Sequence, residues 1–355
     1  MVEQVNATQQ AIIALRAEKQ RLLAQGGRAR DLAKQLAISE AEYVALGGED
    51  PVRAVNQEDF GALLLSLVEL GEVMALTRND AMVLEHHGLY RFEQTQGRLW
   101  RLHQANWSLV LDLSAWQIGF CVSEAGRLSV QFFDASGEAV HKIYCTDNTD
   151  SQKWAAMVAK FSHPLTSSDW PQVTPRVLGA IPHQAALLDV DALRLDWRLL
   201  AHQDNIDSLL ARYKVTPPQA FRHLHDGVMQ MARESLQVLL EAVSAQALAV
   251  EMEVCNAGVC QRHQGGVQRL LTTGPWFNVL DEGVNLHARL ADIETAWLIN
   301  KPFECGQALI LACFDRYHRP IISVKPYPAS AYVEHNGNPW YALVANLPAL
   351  NKRVA

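Results

Sequence analysis

Residues 255 to 263 read CNAGVCQRH, a spacing that sets two thiols and an imidazole within one short stretch. Thiolate and imidazole are good zinc or copper ligands wherever they converge on one point. Period-two alternation argues against convergence here, because on a strand Cys255 and Cys260 point to opposite faces. The pairs His86-His87 and His223-His225 lack the neighbouring carboxylate pattern of a metalloenzyme and read as turn or surface positions. Nucleophile elbows, Walker loops and dinucleotide-binding glycine turns are absent. Of the nine tryptophans, Trp107, Trp116, Trp276 and Trp297 offer flat apolar surface suited to sheet core or to the lining of a cleft.

Composition bounds the scaffold that must carry such residues. With 355 residues, 49% of them hydrophobic, the chain can bury a large core as two domains or one duplicated unit. A formal charge of -7 disfavours nucleic acid and anionic lipid as general partners. The six cysteines show no CxxC pair, and the reading is buried thiols in a reducing cytoplasm. The N-terminus MVEQVNATQQAIIALRAEKQRLLAQ patterns as an amphipathic helix without a long apolar signal core. FGALLLSLVELGEVMAL, broken by Glu69 and Glu72, reads as a core helix and not a membrane span. A soluble cytoplasmic protein is expected.

ARDLAKQLAISEAEYVAL, residues 29 to 46, has the spacing of a helix-turn-helix, with Ser39 as N-cap and Glu42 in capping-box position. A helix that enters the major groove needs cations to meet the phosphates, and this one carries Glu40 and Glu42, so packing is the expected role. Helical patterns fill residues 6 to 76. From Val73 to Tyr144 the period shortens toward two, as in VLDLSAWQIGFCV, which predicts an antiparallel sheet. A helix around Trp154 follows, then a connection over 163 to 190. Helices are expected again over 191 to 248, strands over about 249 to 326, and an irregular tail with one short helix.

The second series repeats the first. A shift of 177 residues superposes Leu32 on Leu209, Ser39 on Thr216, Asn79 on Asn256, His86 on His263 and Leu109 on Leu286. After an insertion around 301 to 307 the shift becomes 181, and Phe133-Asp134 falls on Phe314-Asp315. Phe120 and Trp297 then read as repeated core. The helix-turn-helix stretch recurs as IDSLLARYKVTPPQAFRH (206 to 223), which makes it a repeated structural unit.

QFFDASGEAVHKIYCTDNTDSQKW (131 to 154), VMALTRNDAMVLE (73 to 85), GPWFNVLDEGVNLHARLADIETAWLINKP (274 to 302) and the pattern running from Trp197 to Phe221 closely resemble the haem-utilisation proteins of the HemS, ChuS and PhuS type. The resemblance covers nearly the whole chain in order. It implies an α+β fold of tandem halves, each a large curved antiparallel sheet with flanking helices: a first repeat over 1–165, a linker over 166–190 and a second repeat over 191–355. It also implies haem as ligand or substrate, held in a cleft after import across the inner membrane, and either passed on to a haem-degrading enzyme or opened oxidatively.

An iron porphyrin needs an axial ligand, cations for two propionates and an apolar slot. The family's axial histidine position holds Asp204 in WRLLAHQDNIDSLL, so His202 is the candidate iron ligand. Arg198, Arg212 and Lys325 are candidates near the propionates, and Lys325 and Tyr327, in KPYP, are displaced replacements for a Tyr-Gly-x-Arg segment of the relatives. The position of the family's distal arginine is Val110, its counterpart in the second half is His287, and Leu84 replaces another family histidine. With Val110 there, no donor is left to position dioxygen, and binding without turnover is expected. The competing expectation is a divergent scaffold for another hydrophobic ligand or a protein partner, without redox chemistry.

Overall fold

The computed structural model describes residues 2–48, 51–176, 188–200, 206–303, 306–328 and 338–350. In chain order the first half contributes α1 (Val2–Leu23), α2 (Ala29–Gln35), α3 (Glu40–Ala45), β1 (Arg53–Val55), α4 (Phe60–Ser66), β2 (Gly71–Arg78), β3 (Met82–Gly88), β4 (Phe92–Gln96), β5 (Leu99–His103), β6 (Trp107–Asp112), β7 (Ile118–Glu124), β8 (Arg127–Phe133), β9 (Ala139–Thr149), α5 (Ser151–Phe161) and β10 (Ser162–Pro164). The second half follows with α6 (Val190–Arg198), α7 (Ile206–Tyr213), α8 (Pro217–Phe221), β11 (Val228–Met231), α9 (Ser235–Ala245), β12 (Val250–Cys255), β13 (Val259–Gly265), β14 (Leu270–Thr273), β15 (Trp276–Asp281), β16 (Val284–Ala288), β17 (Thr295–Phe303), β18 (Gly306–Phe314), β19 (Pro320–Pro326) and α10 (Pro339–Ala345). Among the described residues no helix is long and apolar enough to cross a membrane.

Local chemistry sets the element ends. Ser39 caps α3 in a reciprocal box with Glu42, and Thr216 with Gln219 does the same for α8. The expected core helix at FGALLLSLVELGEVMAL stops early: α4 tightens into a 3-10 turn over Leu67–Leu70, and Gly71, at φ 80°, turns the chain into β2. A side chain there would strain that backbone, and the strand begins at residue 71, two residues ahead of the alternation expected from Val73. Three short strands, β1, β10 and β11, fall inside stretches expected to be helix or connection.

The strands form two antiparallel sheets, one ordered β10-β1-β7-β8-β9-β2-β3-β16-β15-β14 and the other β11-β17-β18-β19-β12-β13-β6-β5-β4. Each sheet contains a ribbon from the other half. The first half lends β4–β6 to the nine-stranded sheet, where β6 pairs with β13, and the second half lends β14–β16 to the ten-stranded sheet, where β16 pairs with β3. The inner faces of both sheets bury two large cores. One joins α4 and α5 with Trp107, Leu109, Phe132 and Ile143; the other joins α9 and α10 with Met82, Leu286, Met252 and Leu311.

Residues equivalent under the 177-residue offset tie the two halves together between the sheets. Asn79 donates its side-chain amide to the carbonyls of Cys255 and Ile321 at 3.2 and 2.7 Å, and its oxygen accepts from the N–H groups of Ala81 and Met82. Asn256 reciprocates onto the carbonyls of Arg78 and Val140 at 2.9 and 2.7 Å. His86 Nε2 lies 3.2 Å from His263 Nδ1, and His263 Nε2 lies 3.1 Å from the Gly266 carbonyl. A neutral His263 carries its proton toward that carbonyl, so His86 donates to it. Burial, and then the neighbouring imidazole, lowers the pKa of His86 to about 3.

Candidate functional site

Directly opposed residues in an antiparallel ladder share a face. On the nine-stranded sheet one such row runs Trp297, Ala312, Ser323, Glu253, Arg262, Ser108 and His103. Lys325, Glu251 and Gln264 form a parallel row on one side, and Cys255, Cys260, Val110 and Arg101 another on the opposite side. This is the outer face of the sheet. One end is covered by α6, α7 and α8, whose Leu193, Trp197, Leu209, Leu210 and Phe221 pack on Trp297, Ile299 and Phe314. The remainder is a polar floor beside an apolar helical wall.

The floor is a ladder of alternating charge. Lys325 Nζ lies 2.8 Å from Glu251, Arg262 Nε is hydrogen-bonded to Glu253 and 3.7 Å from Glu251, and Gln264 donates to Glu251 at 2.8 Å. Two cations thus face two carboxylates.

The equivalent outer face of the ten-stranded sheet runs Phe120, Gln131, Lys142, Leu76, Glu85, Asn285 and Leu280, position for position under the same offsets. It is filled by the chain itself. Glu40, on α3 and 2% exposed, takes a hydrogen bond from Lys142 at 2.6 Å and lies 3.7 Å from Arg78. Burial acts to raise the Glu40 pKa, but the charges of Lys142 and Arg78 outweigh it and hold the carboxyl at about 2. Beside it Arg30 bonds Asp80 and Glu138, and Asp80 bonds Arg319 of the other half.

The candidates named from sequence do not all meet. His202 and Asp204 lie outside the described residues. Lys325 is on the ladder, and the Tyr327 N–H that follows it donates to the Ala249 carbonyl at 3.0 Å. Arg198 ends α6, exposed and paired with Asp226 at 2.7 Å, and Arg212 ends α7, paired with Asp196 at 3.2 Å. Arg198 and Trp197 border a cavity of about 160 Å³ with Leu224 and Asp226. His287 stands apart from these, on β16 in the ten-stranded sheet, with Nδ1 2.7 Å from Asn278 Oδ1 and Nε2 3.9 Å from Glu85. Val110 occupies the corresponding place on the outer face of the nine-stranded sheet, opposite Cys260.

The cysteine reading is corrected. Cys255 and Cys260 do not project to opposite faces as free thiols: they sit across from each other on β12 and β13, Cα atoms 4.1 Å apart, joined in a disulfide. Alternation governs a single strand, and the turn at Asn256–Gly258 separates these two, so the face is reset by pairing. His263 lies on the buried face and takes no part. Cys121 and Cys313 are buried thiols as expected, Cys145 is a half-buried one, and Cys305 lies outside the described residues. Arg262, Glu251 and Glu253 were passed over, although alternation in EMEVC and CQRHQ together with the hairpin turn places all three beside Lys325.

The haemin-degrading HemS/ChuX domain matches this chain twice, over residues 37–161 and 214–347. The hemin transport protein HmuS of Yersinia pestis is 31% identical over 340 residues, spanning 93% of this chain and 95% of that protein. Holo-PhuS, a heme-binding protein from Pseudomonas aeruginosa, superposes with a TM-score of 0.86 at 30% identity, covering 96% of this chain and 99% of that one. The heme-degrading enzyme ChuS of Escherichia coli O157:H7 superposes with a TM-score of 0.84 at 25% identity, covering 95% and 99%. The two matched segments fall on the two halves that exchange ribbons, and the chain belongs to the HemS/ChuX family.

Proposed function

We propose that the chain binds an iron porphyrin on the outer face of the nine-stranded sheet, in haem uptake, trafficking or iron release within the cytoplasm. The observation that carries this reading is the inequality of the two faces: one is sealed by Glu40, Lys142 and Arg78, while the other keeps a charged floor next to an aromatic helical wall. Lys325 and Arg262 are the cations nearest to hand for propionates, with Arg198 and Tyr327 at the borders. His202 is the candidate axial ligand. Relatives named for hemin transport, heme binding and heme degradation support the ligand class. Supply by an inner-membrane importer and delivery to a haem-degrading enzyme fit a carrier.

Turnover is the weaker expectation. Val110 offers no hydrogen bond, and its neighbours on the floor, Cys260 and Arg101, are a disulfide sulfur and an exposed side chain across the strand pair. Haem oxygenation needs a donor fixed beside the iron. Titration of the purified protein with hemin tests the binding. One equivalent is expected to saturate a sharp Soret band, and His202→Ala is expected to weaken and shift it. An unchanged His202→Ala spectrum removes His202 but leaves the reading; no saturable band for wild type overturns the reading in favour of a scaffold for another hydrophobic ligand or a protein partner.

A further inference from the structure

We infer that the Cys255–Cys260 pair is a redox-gated metal site: when reduced, the two thiolates and Glu253 chelate a thiophilic divalent cation of the zinc class. A ligand atom of each of these three residues lies within 4.8 Å of the other two, and all three side chains are only half-buried. They converge because Cys255 faces Cys260 across the hairpin while Glu253 precedes Cys255 by one pleat on the same face. The chemistry of the set selects the ion. Two thiolates and one carboxylate suit a tetrahedral cation that keeps a fourth position for water, whereas calcium and magnesium prefer all-oxygen shells.

Two features make the chelate reachable. Cys255 borders a cavity of about 240 Å³ in the seam between the halves, together with Arg78, Asn256 and Arg319, so a small reductant or an ion has a route to one sulfur. Glu253 is hydrogen-bonded to Arg262, but Arg262 also lies 3.7 Å from Glu251 and keeps a carboxylate partner when Glu253 turns to a metal. In the disulfide form the sulfurs are bonded to each other and supply no thiolate. Reduction by a small monothiol places two electrons and two protons on the sulfur pair, and two molecules of that thiol leave joined as their own disulfide. The cation then displaces the two thiol protons to solvent. The first half has no counterpart, since Arg78 and Val83 occupy the equivalent positions.

The test uses the full chain, reduced with a phosphine, stripped of metal and then titrated with zinc against a chromogenic chelator. One zinc per chain is expected for the reduced protein, and at least a tenfold weaker affinity for the oxidised one. Cobalt substituted for zinc should give a thiolate-to-metal charge-transfer band that disappears in Cys255→Ser and Cys260→Ser, while Glu253→Gln weakens zinc binding about tenfold or more. Equal zinc affinity of oxidised and reduced wild type overturns the gate without reference to any variant. Stoichiometric zinc binding that survives in a folded Cys255→Ser/Cys260→Ser chain places the metal elsewhere and overturns the site. Hemin is absent from these measurements, so their outcome is independent of the porphyrin reading.

Discussion

On the outer face of the ten-stranded sheet, α3 sends Glu40 inward to Lys142 and Arg78; at the matching positions of the nine-stranded sheet the chain carries Pro217, Ser323 and Cys255. The backbone frame is the same in both, down to the register of each row. What differs, among the described residues, is whether the helical layer is bolted to the sheet by buried charge or packs on it through apolar side chains while the sheet's charges pair with one another. Duplication supplied two equivalent faces, and substitution at a few positions closed one of them.

The largest effect should come from breaking the closed face. Glu40→Gln leaves Lys142 and Arg78 buried against a neutral amide and should cost about 3–5 kcal/mol in urea unfolding, as for other buried pairs that lose one partner. Pro217→Ala, at the same place in the second half, should cost well under half of that. A difference of less than about 1 kcal/mol between them would dissolve the contrast between the faces.

Acid should act next. His86 and His141 are buried neutral with pKa values lowered to about 3, His86 by burial and then by its imidazole neighbours, His141 by burial. The unfolded chain takes up their protons below its ordinary value near 6.5, so the stability they contribute is complete above that pH and declines as pH falls toward 3. Glu40 adds a loss between about pH 4.5 and 2, since its folded value is depressed. The melting temperature should fall steadily from pH 7 to about pH 2 in wild type. In Glu40→Gln the lower part of that slope should flatten.

The clamps offer the opposite expectation, a symmetric one. Asn79→Ala and Asn256→Ala each remove a side chain that donates to two carbonyls from the far half, and each should cost about 1–3 kcal/mol per buried group left unpaired, by similar amounts. Unequal losses would mean that the seam is not two-fold in energy. On the nine-stranded sheet, Glu251→Gln removes the carboxylate charge beside Lys325 and Arg262, and hemin affinity should rise about three- to tenfold, or roughly 1 kcal/mol, with a stronger dependence on salt. The repeat partner of Glu251 is Met74, and Met74→Leu should leave hemin affinity unchanged. Arg198→Ala breaks an exposed pair with Asp226 and should move stability by less than about 0.5 kcal/mol.

Much of this frame was legible in the chain. The constant offset paired Asn79 with Asn256, each of which bonds the backbone of the other half, and His86 with His263, which bond each other, and the Ser39–Glu42 capping box was written in residue types. Ribbon exchange was not legible, because period-two alternation states which side of a strand is buried but not which strand lies beside it. The disulfide was missed for the same reason, since partnership across a turn resets the face. Glu40 carried no signal of its burial either: an acidic residue in a first helical turn is ordinary, and only the arrival of Lys142 from β9 makes it a core group. The ladder of Lys325, Glu251, Arg262 and Glu253 was within reach of the pattern once β12 and β13 were treated as one hairpin.

The traded ribbons carry a consequence for ancestry. A single repeat on its own would have β3 with a bare edge and a β4–β6 ribbon with no sheet to join. Two such repeats that swap ribbons satisfy both needs at once, about the axis where the paired asparagines and histidines now sit. Viewed this way, the chain is a two-fold dimer spliced into one polypeptide. Splicing freed the subunits from having to be identical, which allowed one outer face to be locked by buried charge while its twin took a different set of side chains.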